Sequence, residues 1–85
     1  MAGSAVGANV TVIGSSFDNT DLTANVLSIV HNLNSLAMEL TVYDDSGFLV
    51  DINGIMRIVS VNEVDVDFGV AIVGTWSYIL KKYMV

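Results

Sequence analysis

A period of two between apolar and polar positions runs through the middle of the chain. Between Leu36 and Tyr43, every even-numbered position is Leu, Met or Val. Such alternation is typical of a β-strand with one buried face. Residues 44–47 (DDSG) then predict a hairpin turn, in which Gly47 supplies a positive φ. In a second alternating segment, VDVDF at residues 64–68, Asp65 and Asp67 point to one side and the apolar residues to the other.

Shorter segments of the same kind predict further strands. Leu22 to Val30 also has the spacing of an amphipathic helix, but its β-branched residues favour a strand. Asn53-Gly54 predicts either a bulge or a turn. Six or seven short strands predict an all-β fold, a small antiparallel β-sandwich or barrel. We expect one domain over residues 1–85, with a flexible or disordered arm at 1–8 and a folded core at 9–85. Its predicted strands are residues 9–13, 22–31, 36–43, 48–51, 52–60, 64–68 and 75–84.

The sequence contains more hydrophobic residues than a domain of this length can bury. Of the 85 residues, 53% are hydrophobic, while a domain of this length buries only about 60–65% of its unfolded surface. Without cysteine, disulfides and thiolate metal sites cannot stabilise it, so oligomerisation is the remaining common device. No segment has the ~18 apolar residues of a membrane span, and the amino terminus lacks the basic start of a signal peptide. We therefore expect a protein partner and no membrane.

Charge excludes some functions and leaves few candidate sites. Three basic residues against nine acidic ones provide no basic surface for nucleic acid. Asp65 and Asp67 are candidate Ca²⁺ ligands, the alternative being a solvated strand face. His31, the only histidine, has no second His or Cys for zinc, so we expect it to hold a corner through Asn32 or Asn34. With no nucleophile motif and no phosphate loop, we expect no catalytic residue and no cofactor.

Four residues on the second face of the predicted strands are candidates for an interface. If only one face of each strand forms the core, these side chains point outward and form an apolar patch. The alternative is a two-layer monomer in which both faces are buried. The candidates are Leu27, Ile29, Ile79 and Tyr83.

Four motifs follow one another in a recognisable order: HNLN at 31–34, VYDDSG at 42–47, NEVDVDF at 62–68 and GTW at 74–76. In this order the chain resembles, over roughly residues 22–80, small β-sandwich modules of tailed-bacteriophage virion proteins. The resemblance implies assembly roles without catalysis, in tail fibres or in trimeric proteins that decorate or cement capsids. The residues themselves predict structural corners at His31, Asn32, Asn34, Gly47 and Gly74.

The leading expectation is therefore a non-enzymatic capsid decoration, or cement, protein. It would form a homotrimer on the major capsid protein, at the virion surface, after synthesis in the host cytoplasm. Fibre modules are normally appended to long chains, so we expect a free-standing module to suit decoration better than a fibre. The alternatives are a tail-fibre or neck attachment module and a carbohydrate-binding β-domain. A sugar site needs exposed rings, whereas Trp76 and Tyr78 alternate with Ser77 like the wall of a core.

Overall fold

A computed structural model describes residues 10–83 as a small β-sandwich. Its four-stranded sheet has the order β1-β7-β3-β4, its three-stranded sheet the order β2-β6-β5, and all pairs are antiparallel. The all-β prediction is confirmed, as a sandwich of two sheets. The arm predicted at residues 1–8 lies outside the described residues. The strands are β1 (Val10–Phe17), β2 (Val26–Val30), β3 (Met38–Tyr43), β4 (Leu49–Val50), β5 (Met56–Ser60), β6 (Glu63–Asp67) and β7 (Trp76–Tyr83).

The core lies between the facing sides of the two sheets. Val42 of β3 and Leu80 of β7 are completely buried on the four-stranded sheet, as is Val66 of β6 on the other. An aromatic cluster closes one part of the core, where the Phe68 ring lies 5.4 Å from Trp76 and 6.0 Å from Phe17 between ring centroids. The alternation therefore identified inward-facing positions of both sheets at Met38–Val42 and Val64–Val66, but it was wrong at Leu36, which precedes β3 and is 58% exposed.

Two segment boundaries differ from the sequence prediction. The segment 22–31 is not one strand, because Ala24 and Asn25 have φ of 51° and 68°. Thr23 and Val26 exchange both backbone hydrogen bonds around them, at 2.9 and 3.0 Å, which is a two-residue turn. The segment 52–60 also begins with a turn, because the Ile52 carbonyl accepts from the two N–H groups after Gly54, at 3.1 and 3.0 Å.

The first strand is longer than predicted. Gly14, Ser15 and Ser16 continue β1 instead of ending it, because they pair with Ile79, Tyr78 and Ser77 of β7. A short 3₁₀-helix follows at Asn19–Asp21. Asp18 caps this helix, and the hydrogen bonds that its carboxylate accepts from Thr20 lower the Asp18 pKa. Residues 18–21 thus form a capped turn that connects the two sheets.

Candidate functional site

The HNLN corner is held by hydrogen bonds to the turn between β5 and β6. The Asn62 carbonyl accepts from the N–H groups of His31 and Asn32, at 2.9 and 3.3 Å, and its side-chain Oδ1 accepts from the Asn34 N–H at 2.7 Å. Asn32 and Asn34 have φ of 56° and 52°, a conformation that asparagine adopts more readily than most residues. These hydrogen bonds fix the backbone of the corner against the β5–β6 turn.

The bond made by the His31 ring differs from the prediction. Its Nδ1 accepts from the backbone N–H of Leu33 at 3.1 Å, not from Asn32 or Asn34. Nε2 is buried without a hydrogen-bond partner among the described residues, and burial lowers the His31 pKa. An imidazole that accepts at Nδ1 carries its proton on Nε2 when neutral. His31 is therefore a neutral corner residue at pH 7.

The glycines predicted at corners have positive φ, +86° at Gly47 and +83° at Gly74. The Asp44 carboxylate closes the turn at Gly47 by accepting from the N–H groups of Ser46 and Phe48, both at 2.9 Å. A Cβ on Gly74 would lie 2.6 Å from the Cβ of Asp45. The turn 44–48 and the loop 69–74 therefore touch at one end of the sandwich, which we call the loop end.

The acidic candidates lie along β6, on the side facing away from the core. The Asp67 carboxylate accepts from the Gly69 N–H at 2.9 Å, so it closes the turn after β6. A hydrogen bond with Asp65 raises the Glu63 pKa, and desolvation and the Asp65 charge add to the rise. Across residues 10–83 there is no group of three or more His, Cys, Asp or Glu side chains placed to hold a metal ion. Calcium binding at Asp65 and Asp67 stays a prediction.

Two of the four interface candidates point into the core. Leu27 and Ile29 of β2 are buried, so their predicted outward orientation is wrong. The physical reason is that the three-stranded sheet turns this face toward the other sheet, where Val42 and Leu80 meet it. Ile79 is half-buried on the outer face of β7, and Tyr83 is 42% exposed.

An apolar region that sequence reasoning missed lies where β3 and β5 form an open side of the sandwich. Met56 and Ile58 share the face of β5 that pairs with buried Val66 and Val64, yet they are 36% and 38% exposed. Met56 lines one groove together with Met38 and Leu40 of β3. The signal was present in the alternation of Met56, Arg57 and Ile58, but the turn at Asn53-Gly54 had to be placed before those residues could be assigned to a strand face. We call this region, Met38–Thr41 with Met56–Val59, the open side.

The open side combines an edge strand, β5, with the part of β3 that β4 does not reach. β4 pairs only with Val42 and Tyr43, so Met38–Thr41 has no neighbouring strand opposite β7 in the part of the chain that the structure describes. β5 pairs with β6 alone. On the opposite side of the sandwich, the inward side chains of β1 and β2, Phe17 and Leu27, are buried. Ile13, a further inward residue of β1, is half-buried, whereas the inward residues Met56 and Ile58 of β5 are exposed.

A second exposed apolar region forms the loop end. Phe48, Val70 and Val73 are 71%, 66% and 79% exposed, and the two valines line a groove of about 420 Å³ beside Trp76. The Trp76 Nε1–H donates to the Val73 carbonyl at 2.8 Å, and its ring packs on Phe68. The indole is thus part of the core wall, as the alternation with Ser77 predicts, and not a flat exposed platform.

Comparison with protein-family models, with curated proteins and with solved structures found no match for this chain. Among residues 10–83 there is also no helix long and apolar enough to cross a membrane. The two exposed apolar regions and the order of the sequence motifs are therefore the features of this chain that bear on its function.

Proposed function

We propose that this chain is a non-enzymatic structural protein that acts by binding other protein chains, as a homotrimeric capsid decoration protein of a tailed phage. The observation that carries the proposal is the balance of apolar side chains. Residues 10–83 bury eight hydrophobic residues but expose twelve large ones. Exposed apolar side chains that cluster, as they do in the open side and the loop end, are typical of surfaces that meet a partner. The phage assignment rests on the order of the HNLN, VYDDSG, NEVDVDF and GTW motifs.

The two apolar regions suit the two contacts that a decoration protein needs. It must bind copies of itself and also the shell. The open side is an edge of two sheets, and we assign it to self-association. The loop end presents Phe48, Val70 and Val73 at loop tips, where short loops insert into depressions of a partner surface without disturbing the strands. We assign the loop end to the major capsid protein.

Decoration stabilises a shell by differential binding. A protein that binds the assembled capsid and not the separate subunits lowers the free energy of the assembled state by RT ln(1 + [L]/Kd) for each site, about 2.7 kcal/mol at a hundredfold excess over Kd. Apolar contact supplies roughly 25 cal/mol per Å² buried. No catalytic group is needed for this effect.

The test compares the heat resistance of particles with and without the protein. Particles that lack it should release DNA at a lower temperature, and adding the purified wild type should restore the higher temperature. A Val73→Asp variant should fail to restore it, because the aspartate must be desolvated in the contact. Val12→Asp, which places the same charge at an exposed position on β1, is the matched control. Equal heat resistance with and without the protein would contradict the proposal. A few copies per particle would indicate a tail component.

A further inference from the structure

We propose that the open side is where copies of this chain join, by antiparallel pairing of β5 in one copy with Met38–Thr41 of β3 in the next. The inference rests on the proposed homotrimer and names its contact. An exposed strand edge is a template for pairing with another strand, and added strands are a common way for proteins to bind one another.

The backbone of each edge shows which peptide groups face outward. The Ala37 carbonyl accepts from Tyr83, so the alternation of an antiparallel ladder points the peptides of Met38 and Leu40 away from β7. On β5, the Ile55 carbonyl accepts from Asp67, which by the same rule points the peptides of Met56 and Ile58 away from β6.

Two of these outward N–H groups are already used within the chain. Met38 donates to the Leu36 carbonyl at 3.1 Å, and Met56 donates to the Ile52 carbonyl at 3.0 Å. This leaves the N–H groups of Leu40 and Ile58 as the donors at the two edges. If Leu40 lies opposite Met56, the Leu40 N–H reaches the Met56 carbonyl of the other copy. Met38 then lies opposite Ile58, and the Ile58 N–H reaches the Met38 carbonyl. One register therefore satisfies the donors of both edges.

The same register matches the side chains of the two strands. Glu39 comes to lie directly opposite Arg57, in a pair without hydrogen bonds between its peptides, where Cα atoms approach to about 4.5 Å. Arg57 already lies opposite Asp65 within its own sheet, and Glu39 lies opposite Lys81. Across the joined sheets, the row Asp65, Arg57, Glu39, Lys81 alternates in sign.

The neighbouring row is entirely apolar. Met56 pairs with Val66 within one copy, and Leu40 pairs with Leu80 in the next. The proposed register joins them into the row Val66, Met56, Leu40, Leu80, and it covers Met56. Opposite charges and apolar pairs that face each other across neighbouring strands stabilise the pairing of those strands. The two edges of this chain are therefore complementary to each other, which identifies a second copy as the occupant.

The contact uses different surfaces on the two copies. A contact of this head-to-tail kind leaves one edge of each copy available until the copies close into a ring. Three copies around one axis satisfy every open side, which agrees with the proposed trimer.

The experiment uses the absence of cysteine in the chain. Two variants, Glu39→Cys and Arg57→Cys, are made with tags of different mass, mixed, allowed to exchange and mildly oxidised. Residues in a pair without hydrogen bonds place their Cβ atoms within reach of a disulfide. We expect the disulfide between position 39 of one copy and position 57 of another to exceed both like-with-like products. Val12→Cys mixed with Arg57→Cys is the control, since Val12 lies on the far edge of the four-stranded sheet, and it should give no such excess.

A second measurement does not require the introduction of cysteine. Arg57→Glu places two carboxylates opposite each other, so association measured by sedimentation equilibrium should weaken by at least about tenfold, while Val12→Glu leaves it unchanged. If the wild type is multimeric but the mixed cysteine variants give mainly 57–57 disulfides, or if Arg57→Glu leaves association unchanged, the edge contact is overturned and the proposed function stands. A wild type that stays monomeric overturns both the contact and the homotrimer.

Discussion

Replacing Gly74 by alanine should destabilise the protein far more than the same change at Gly47. Both glycines have φ near +85°, so each alanine incurs the left-handed strain of about 1–2 kcal/mol. At Gly47 nothing lies within 4 Å of the added Cβ. At Gly74 the Cβ would lie 2.6 Å from the Cβ of Asp45. That atom is fixed to the backbone of the 44–48 turn, so the turn itself must move, which adds about 1–3 kcal/mol.

The measurement is the free energy of unfolding from urea titration at one fixed protein concentration, because association makes stability concentration-dependent. Gly47→Ala should lose about 1–2 kcal/mol and Gly74→Ala about 2–5 kcal/mol. In a domain of this size each kcal/mol corresponds to roughly 4–8 °C in Tm. Gly54→Ala is a second control, since its φ is +85° and nothing lies within 4 Å of its Cβ. Equal losses at positions 47 and 74 would refute the contact between the turn and the loop.

Three further changes test the core and the corner. Leu80→Ala should cost about 2–5 kcal/mol, because Leu80 is fully buried, and urea unfolding followed by ellipticity at 25 °C measures the difference from wild type. Asn62→Ala should cost about 1 kcal/mol in urea unfolding, since Asn34 loses its 2.7 Å acceptor. Burial lowers the His31 pKa in the folded state, so the unfolded chain takes up the proton first. Stability should therefore decline as pH falls below about 6.5, and His31→Asn should flatten the decline.

Strands could be predicted from the sequence where only one face of the strand is buried. Val64 and Val66 alternate with acidic residues, and the structure places them in the core. The start of β2 could not be predicted from the sequence, because Ala24 has a positive φ and alanine gives no sign of that conformation. The burial of Leu27 and Ile29 could not be predicted either. A strand shows the same period of two in its sequence whichever of its faces packs on the second sheet.

The open side could not be predicted from the sequence either, because it depends on how the strands are arranged in the two sheets. A sequence predicts strands, but which strand becomes an edge depends on contacts between distant segments. Edges exposed to solvent usually carry proline, lysine or a bulge that blocks pairing. Met38–Thr41 has neither proline nor lysine, and the irregularity in β5 comes only between Ile58 and Ser60. An edge that lacks such protection, beside partly exposed methionine and isoleucine, is suited to being covered. The sequence carried this information in Glu39 and Arg57, whose matching positions became meaningful only once the register of both sheets was known.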